Sequence, residues 1–230
     1  MAGWRDRLRE VSAERGLDDG QAEQLTTLLE LIARDEHVPT AVRDPAEAVD
    51  VHVADSLAGL EVAALHDATS IADLGSGAGF PGLPLAIARP AAHVVLVESA
   101  TRKADFLRRA ADAIGVANVE VVHARAEEWG ATTDAAVARA LDALPVLAEY
   151  AAPLLRVGGV LVAWKGRRDP DEEQQAAAAA AQLGLESAEV VPVQPYPASR
   201  DRHLHVMVKR SPTPAGFPRA PGRARKRPLR

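Results

Sequence analysis

The sequence contains no cysteine, and this absence excludes several kinds of site at once. Without a thiol the chain can form neither disulfides nor thiolate metal sites. Its seven histidines are scattered and do not have the spacing of metal ligands. We therefore expect a protein with no bound metal, suited to a reducing compartment such as the cytoplasm.

Long apolar runs are missing as well. A membrane span needs about 18 or more apolar residues in a row, and no such run occurs. The N-terminus, MAGWRDRLREVSAERG, is charged where a signal peptide would be apolar. These features predict a soluble cytoplasmic protein with no membrane partner. With 230 residues and 47% hydrophobic content, the chain can bury one sizeable core, so we expect one main domain.

Acidic residues are absent from residues 209–230, which hold eight basic ones. The whole chain carries a net charge of −5, so the residues before this segment carry −13. Such an acidic body binds polyanions poorly except where positive charge is concentrated. Residues 211–230, SPTPAGFPRAPGRARKRPLR, also contain too many prolines and glycines for further core structure. We interpret them as a basic C-terminal tail.

The rest of the chain divides into a helical part and an alternating part. Residues 1–65 predict an N-terminal helical lobe, because apolar residues recur at helical spacing between Leu25 and Ile32 and again from Pro45 to Leu57. Residues 66–210 alternate short β-branched runs with amphipathic stretches. That alternation is typical of βα units and a parallel sheet.

Seven strands are predicted within this core. The first five are residues 70–73, 93–98, 119–123, 135–138 and 160–165. Helices are predicted between them at 83–88, 102–114 and 144–155, and Asp171 is placed to cap another. The last two strands, 187–193 and 204–209, are too close together for a helical crossover and can only pair antiparallel. The expected fold is α/β and Rossmann-like, with a seven-stranded, mostly parallel sheet that ends in an antiparallel hairpin.

The stretch IADLGSGAGFPGLPLAIARP predicts a ligand-binding turn after the first strand. Asp73 ends the strand, and Gly75, Gly77 and Gly79 permit a tight turn whose backbone can approach a ligand. The spacing fits both Asp-x-Gly-x-Gly-x-Gly and the dinucleotide fingerprint Gly-x-Gly-x-x-Gly, and a glycine turn without a ligand fits it too. Glu98 ends the second strand about 20 residues later, where an acidic side chain can accept hydrogen bonds from ribose hydroxyls.

A second candidate contact follows the third strand, in HARAEEW. Ala126 and Glu127 could bracket an adenine, although a solvated helix start accounts for them almost as well. The choice between the two glycine motifs depends on where each one starts relative to the end of the first strand. The acidic-first motif coincides with the strand end, whereas the dinucleotide motif starts late, and a terminal hairpin does not belong to the six parallel strands of the dinucleotide fold.

A nicotinamide-dependent oxidoreductase would also need a proton-relaying pair such as Tyr-Lys. Neither Tyr150 nor Tyr196 has a lysine four residues on. The glycine turn, Glu98 and the terminal hairpin together resemble class I S-adenosylmethionine-dependent methyltransferases.

Longer stretches narrow this resemblance to one family. The sequences DLGSGAGFPGLPLAI, VESATRKADFLRRAADAIGVANVEVVHARAEEW, ARALDALPVLAEYAAPLLRVGGVLVAWKG and RHLHVMVKRSPTP with GFPRAPGRARKRPL are similar to bacterial guanine-N7 methyltransferases of small-subunit ribosomal RNA, the glucose-inhibited division protein B family. The similarity covers residues 70–230 well and 20–65 less well. The N-terminal part departs from the family pattern: Val51-His52 precedes Asp55-Ser56 where Arg-His is usual, and Val38-Pro39-Thr40 replaces Asn-Leu-Thr.

The resemblance implies S-adenosylmethionine as the cofactor. The cofactor contacts that it carries over are Gly75, Phe80, Ala126, Glu127 and Arg139, and Glu98 fits as the ribose partner. Lys165 and Gly166 match a Lys-Gly pair that borders the substrate side of the pocket. His52 is expected to be a packing residue without a catalytic role.

The reaction that the resemblance implies is methylation of guanine N7 in a loop of 16S ribosomal RNA. Because N7 has an available lone pair, no general base is required, and the sequence contains no nucleophile-base motif. Lys165 and Arg139 are therefore assigned to positioning. The expected partner is 16S rRNA or the small ribosomal subunit, and we expect a monomer.

Contacts to RNA are predicted where cations gather. One patch comprises Arg200, Arg202, His203 and His205, and the tail adds Arg219, Arg223, Arg225, Lys226 and Arg227. N7 in a regular RNA helix lies in a groove that side chains cannot read, which favours a loop as the target. A non-catalytic RNA-binding or assembly module on the same fold is the alternative, and the complete glycine turn and Glu98 argue against it.

Overall fold

The computed structural model describes residues 3–35 and 38–230. The helices are α1 (Trp4–Glu14), α2 (Asp19–Arg34), α3 (Pro45–Ala48), α4 (Asp55–Leu57), α5 (Ala63–His66), α6 (Gly82–Ala88), α7 (Thr101–Ile114), α8 (Leu144–Ala151), α9 (Pro170–Gln182) and α10 (Arg223–Lys226). The strands are β1 (Ser70–Leu74), β2 (His93–Glu98), β3 (Val119–His123), β4 (Thr133–Arg139), β5 (Leu155–Lys165), β6 (Leu185–Val193) and β7 (Arg202–Lys209). A π-helical segment, Val49–Ala54, joins α3 to α4.

The strands form one seven-stranded sheet in the order β3-β2-β1-β4-β5-β7-β6. The pairs from β3 to β5 are parallel, while β7 runs antiparallel to both β5 and β6. The predicted α/β fold with its terminal antiparallel hairpin is therefore confirmed. Order reverses between β1 and β4, which places a crevice beyond the carboxyl ends of the strands at that point.

Two local predictions were wrong. The α-helix predicted to reach residue 155 ends at Ala151 and continues as a 3-10 helix only over Ala152–Leu154, and β5 begins at Leu155 because that residue pairs with Thr133 of β4 ahead of a register shift. The cap of α9 is Asp169, not Asp171. Since Pro170 occupies the first helical position, the Asp169 carboxylate reaches the free N–H groups of Asp171 and Glu172, at 3.0 and 3.3 Å.

The sheet buries both of its faces. Along β1, Ile71 packs into one hydrophobic cluster with α6 and α7, whereas its neighbour Ala72 packs into a second cluster with α8 and α9. Alternation of this kind follows from the two-residue repeat of a strand, and it explains why the strands read as nearly continuous apolar runs. The helical lobe belongs to the first cluster through Leu25, Leu28 and Ile32.

The lobe is joined to the sheet beside the carboxyl end of β5. The indole Nε1 of Trp164 donates a hydrogen bond of 2.8 Å to the carbonyl oxygen of Asp55, at the start of α4. Gly59 lies directly against the same ring: a Cβ built there would be 2.3 Å from Cζ2 of Trp164. The absence of a side chain at position 59 therefore lets the lobe approach β5 closely.

The basic tail folds back onto α8. Its Arg219 binds the buried carboxylate of Glu149 through Nε and Nη2 of the guanidinium, at 2.8 and 2.5 Å. Ala224 in α10 is only 1% exposed and joins the second cluster. At the end of the chain, Gln182 of α9 donates to the carbonyl of Arg230 at 3.0 Å. The tail is thus a packed segment, although its sequence suggested no further core structure.

We predict that Gly59→Ala lowers the free energy of unfolding by about 1–3 kcal/mol, because the added methyl group would overlap the Trp164 ring. Chemical denaturation measures the loss. Gly130→Ala is the matched control, since a Cβ there meets nothing within 4 Å. Equal losses in the two variants would contradict the close approach between lobe and sheet.

Candidate cofactor and substrate site

The candidate site lies beyond the carboxyl ends of β1, β2, β4 and β5. The glycine turn that follows β1 has three residues in the left-handed region, Gly75, Gly77 and Gly79. A Cβ at Gly75 would be 2.5 Å from a methyl carbon of Leu141, so this position also needs to be small. A Cβ at Gly77 would come no closer than 3.8 Å to its nearest neighbour. Gly77 therefore leaves space that a ligand can use.

Glu98 holds the glycine turn against the end of β2. Its carboxylate is 5% exposed and accepts hydrogen bonds from the N–H groups of Gly77 and Ala100, at 3.0 and 2.8 Å. A carboxylate has about four acceptor positions, so two backbone bonds leave capacity for hydroxyl donors. The predicted ribose partner thus lies at the turn.

Asp73 supports the same turn from beneath. It is 1% exposed, and Oδ2 accepts a hydrogen bond of 3.0 Å from the N–H of Gly82. Its other carboxylate oxygen, Oδ1, has no partner among the described residues. Burial raises the pKa of Asp73 to about 7, against the opposing effect of the Gly82 hydrogen bond.

A recess lies beside the turn, where the adenine side was predicted. Its lining residues are Gly75, Val97, Ser99, Ala124, Arg125, Ala126, Glu127, Leu141, Tyr150 and Arg225. Glu127 accepts a hydrogen bond of 2.9 Å from the N–H of Gly222 in the tail. Burial, with Glu127 nearby, raises the pKa of Tyr150 to about 12, so this phenol stays protonated at neutral pH.

Arg139 and Phe80 meet the helical lobe at the other side of the turn. The guanidinium of Arg139 binds the Asp55 carboxylate at 2.8 Å and the carbonyl of Val51 at 3.1 Å, and it lies 5.4 Å from the centroid of Phe80. Phe80 stacks on His52, with ring centroids 4.5 Å apart. Both predicted cofactor residues are therefore packed against the lobe, at the border of the cleft.

His52 is held in its neutral form by these surroundings. Its Nε2 lies 3.0 Å from Oγ1 of Thr40 and 3.2 Å from the carbonyl oxygen of Val42. Burial and the Arg139 charge lower the pKa of His52 to about 4. The ring packs and forms hydrogen bonds, as its expected structural role requires.

A second recess lies at the ends of β4 and β5, where the substrate side was predicted. It is lined by Asp55, Arg139, Ala140, Asp142, Leu147, Trp164, Lys165, Gly166, Val193, Arg202 and His203. Lys165 is held by the Glu172 carboxylate at 2.7 Å, and the same oxygen accepts from the N–H of Leu144 at the start of α8. Arg202 is 3.7 Å from Asp55. The recess therefore contains cations with carboxylate partners.

Sequence reasoning missed several members of this recess. Asp55, Asp142 and Trp164, which line it, and Glu172, which binds its Lys165, were not among the predicted site residues. The sequence did offer a signal for Asp55 and Asp142, because each lies at the end of an element that borders the cleft. Asp55 begins α4, and Asp142 lies between β4 and α8. Glu172 carried no such signal, because its role depends on how α9 packs against β5 and α8.

The predicted RNA-binding cations fall into distinct environments. Arg200, Arg223, Lys226 and Arg227 are exposed. Arg219 and Arg225 are engaged by Glu149 and Asp142. His205, predicted as part of a surface patch, is instead 6% exposed and lies 4.0 Å from Glu173. The reason is its position inside β7, under α9, where successive residues alternate between faces.

Two other predictions concern metal and membrane. Across residues 3–35 and 38–230, no group of three or more His, Cys, Asp or Glu side chains is arranged to hold a metal ion. In that same part of the chain no helix is both long enough and apolar enough to cross a membrane.

Comparison with known proteins identifies the family. The family model GidB, rRNA small subunit methyltransferase G, matches residues 21–204. Ribosomal RNA small subunit methyltransferase G of Rubrobacter xylanophilus is 45% identical over 197 residues, which cover 82% of this chain and 76% of that protein. The protein of the same name from Deinococcus radiodurans is 41% identical and covers 98% of this chain and 92% of its own length.

Solved structures at lower identity share the fold. A cofactor-bound crystal structure from MTB has a TM-score of 0.56 at 20% identity, covering 92% of this chain and 100% of that chain. The Methanococcus jannaschii fibrillarin pre-rRNA processing protein has a TM-score of 0.54 at 18% identity, covering 69% and 74%. These similarities support the class I methyltransferase architecture alone.

The predicted resemblance to rRNA methyltransferases is thereby confirmed. A match across most of the chain, joined to relatives above 40% identity, also confirms the predicted methyltransferase activity and S-adenosylmethionine as its cofactor. The predicted rRNA substrate is confirmed at the level of the small ribosomal subunit's RNA. The chain belongs to the GidB family, the rRNA small subunit methyltransferases G.

Proposed function

We propose that this methyltransferase modifies N7 of a guanine in a loop of 16S rRNA, with the base entering the recess at the ends of β4 and β5. One observation carries the proposal: the recess is lined by paired charges, and its Arg139 lies 5.4 Å from the ring centroid of Phe80 in the glycine turn. Ser, Thr, Tyr and Cys are absent from the described residues that line it. A reaction at N7 needs no proton removed from the attacking atom, so this lining suffices.

The first recess suits the cofactor. The open space at Gly77 and the acceptor capacity of Glu98 fit a ribose, and the side chains of Val97, Ala126 and Leu141 offer an apolar slot for an adenine. Glu127 borders the same slot. When bound, S-adenosylmethionine supplies a methyl group on a sulfonium, ready for direct displacement.

The roles of Lys165 and Arg139 follow from their ion pairs. Because Glu172 and Asp55 hold them at 2.7 and 2.8 Å, both cations are fixed in direction and partly neutralised. We assign them to orienting the guanine, its phosphate or the cofactor carboxylate. Holding the acceptor atom in line with the methyl group can by itself lower the barrier by on the order of 7 kcal/mol.

Charge balance supports the same assignment. Methylation of N7 leaves the purine ring with a positive charge, which isolated cations beside it would oppose. Asp55 and Asp142 both line the recess together with the cations. We infer that these carboxylates, with Glu172, offset the charge of the neighbouring cations, so that those cations oppose a cationic product less strongly.

Asp73 is assigned a role in electrostatics beneath the turn. Its free oxygen is buried, and its raised pKa means that the cofactor-free protein holds much of this carboxyl protonated at neutral pH. A cationic ligand above the turn would favour the ionised form. The unpaired oxygen therefore fits a site built for a positively charged cofactor.

The proposed function predicts transfer of a labelled methyl group to small-subunit RNA. Purified protein is incubated with tritiated S-adenosylmethionine and either naked 16S rRNA, a partly assembled particle or the complete subunit. The modified base is then mapped by N7-selective chain cleavage. Label at one guanine N7 supports the proposal. Label confined to protein, or at another base atom, would refute the assignment of N7, and the best of the three substrates identifies the natural form.

We predict that Glu98→Gln weakens S-adenosylmethionine binding by about 10-fold to 100-fold. Hydrogen bonds to a charged acceptor contribute roughly 1.5–3 kcal/mol, and the substitution removes the charge while keeping the size. Calorimetric titration measures the dissociation constant. Glu128→Gln is the control, because Glu128 is an exposed glutamate one turn beyond β3. An unchanged affinity in Glu98→Gln would remove Glu98 from the cofactor site.

We predict that Asp73→Asn becomes more stable relative to the unmodified protein as the pH rises from about 4 to about 7. Unfolded aspartate ionises near pH 3.8, while folded Asp73 holds its proton until about pH 7, so its burial costs progressively more across that window. By pH 8 we expect the unfolding free energy of Asp73→Asn to have risen by at least about 1 kcal/mol relative to the unmodified protein. The upper limit is about 1.4 kcal/mol for each unit by which the pKa of Asp73 differs between the folded and unfolded states.

Denaturation of the cofactor-free protein at several pH values checks this prediction. Asp112→Asn, at an exposed position in α7, serves as the control and should show no such trend. If the difference between Asp73→Asn and the unmodified protein is independent of pH, then Asp73 is ionised throughout and its assigned role is wrong.

A further inference from the structure

The segment from Arg219 to Arg227, here called the C-terminal strap, is fixed at one end by a buried ion pair. Arg219 is bound to Glu149, a carboxylate that is only 1% exposed. The guanidinium also donates to the carbonyl of Arg227 at 2.9 Å, which ties the two ends of the strap together. Breaking a buried pair by removing one partner is strongly unfavourable, so the strap is held firmly at this point.

The middle of the strap reaches the cofactor recess by two contacts. The N–H of Gly222 donates to Glu127 at 2.9 Å, and Glu127 is one of the predicted adenine contacts. Arg225 binds Asp142 at 2.5 Å and the carbonyl of Leu141 at 3.2 Å. Arg225 also lines the first recess, and Asp142 lines the second. The strap therefore lies across the boundary between the two.

The outer side of the strap carries cations that form no ion pair with the described residues. Ala224 points into the core, and Arg225 binds Asp142 beside the cleft with its side chain still 64% exposed; Arg223, Lys226 and Arg227 are exposed as well. No carboxylate among the described residues forms an ion pair with these three cations. An rRNA phosphate backbone matches them in charge. One short element thus presents a pocket wall on one side and a cationic surface on the other.

We propose that the C-terminal strap forms one side of the cofactor pocket and that RNA phosphates binding to its outer cations press it onto the cofactor, so that RNA and cofactor each bind more tightly in the presence of the other. This inference rests on the proposed function, since it takes RNA as the substrate. Arg225 is the pocket residue of the strap. Arg223, Lys226 and Arg227 are the contacts through which RNA acts on it.

The coupling must be reciprocal. If RNA orders the strap and thereby tightens cofactor binding by some factor, the cofactor tightens RNA binding by that same factor. Typical couplings correspond to a factor of about 5 to 150. The strap can transmit this effect because its contacts to Glu127 and Asp142 are single hydrogen-bonded pairs near the surface, which a bound ligand can strengthen or release.

The test measures binding of S-adenosylhomocysteine, which lacks the transferable methyl group, with and without saturating 16S rRNA. In the unmodified protein we expect RNA to lower the dissociation constant at least about fivefold. Arg225→Ala should bind S-adenosylhomocysteine about tenfold more weakly without RNA, because it removes part of the pocket wall. Arg225→Lys should recover only part of the loss, since lysine cannot form the same planar contact to a carboxylate.

A triple variant separates the two sides of the strap. Arg223→Ala, Lys226→Ala and Arg227→Ala together should leave S-adenosylhomocysteine binding without RNA within about twofold of normal, yet abolish the tightening that RNA causes. Arg9→Ala removes one exposed cation far from the strap and should behave as the unmodified protein. Thermal unfolding of each variant shows that it is folded.

The strap proposal is overturned if Arg225→Ala binds S-adenosylhomocysteine normally, or if RNA leaves the dissociation constant of the unmodified protein unchanged. The proposed function fails in a different way. There, the unmodified protein would transfer no methyl group to guanine N7 of 16S rRNA, whatever the behaviour of the strap.

Discussion

The buried carboxylate of Asp55 is the interaction on which the site depends. It lies at the start of α4 in the helical lobe, binds Arg139 from the end of β4 at 2.8 Å, and lies 3.7 Å from Arg202 of β7. Its own carbonyl accepts from Trp164 of β5. Residues of three strands, β4, β5 and β7, are therefore positioned against one residue of the lobe. Because removing a partner from a buried ion pair is strongly unfavourable, the Asp55 contacts favour formation of the lobe and this recess together.

The glycine turn is held differently, by hydrogen bonds from backbone N–H groups to buried carboxylates. Asp73 and Glu98 receive the N–H groups of Gly82, Gly77 and Ala100, and glycines let these groups approach without side chains between them. Such contacts fix the shape of the turn before any ligand arrives. The lobe sets the position of Arg139 and Trp164 in the recess at the ends of β4 and β5, and the sheet ends set the backbone of the glycine turn.

Much of the fold could be predicted because its signals are local. Strand alternation, the glycine turn and the acidic residue ending β2 all follow from residues close together in the sequence. What escaped prediction depends on distant packing. Asp55 binds Arg139, which lies 84 positions away in the sequence. Which cations of the tail are paired and which are exposed depends on the position of Glu149 in α8. His205 looked like a surface cation until α9 covered it.

The tail also has a consequence for the order in which the protein is made. Gly222 contacts Glu127 across 95 positions, and the residues of the recess that precede it have long left the ribosome when Gly222 is added. The recess beside the glycine turn is therefore completed by residues that follow every strand of the sheet in the sequence. Until residues 219–227 have been added, a nascent copy lacks the Gly222–Glu127 and Arg225–Asp142 contacts, so its recess is open on that side.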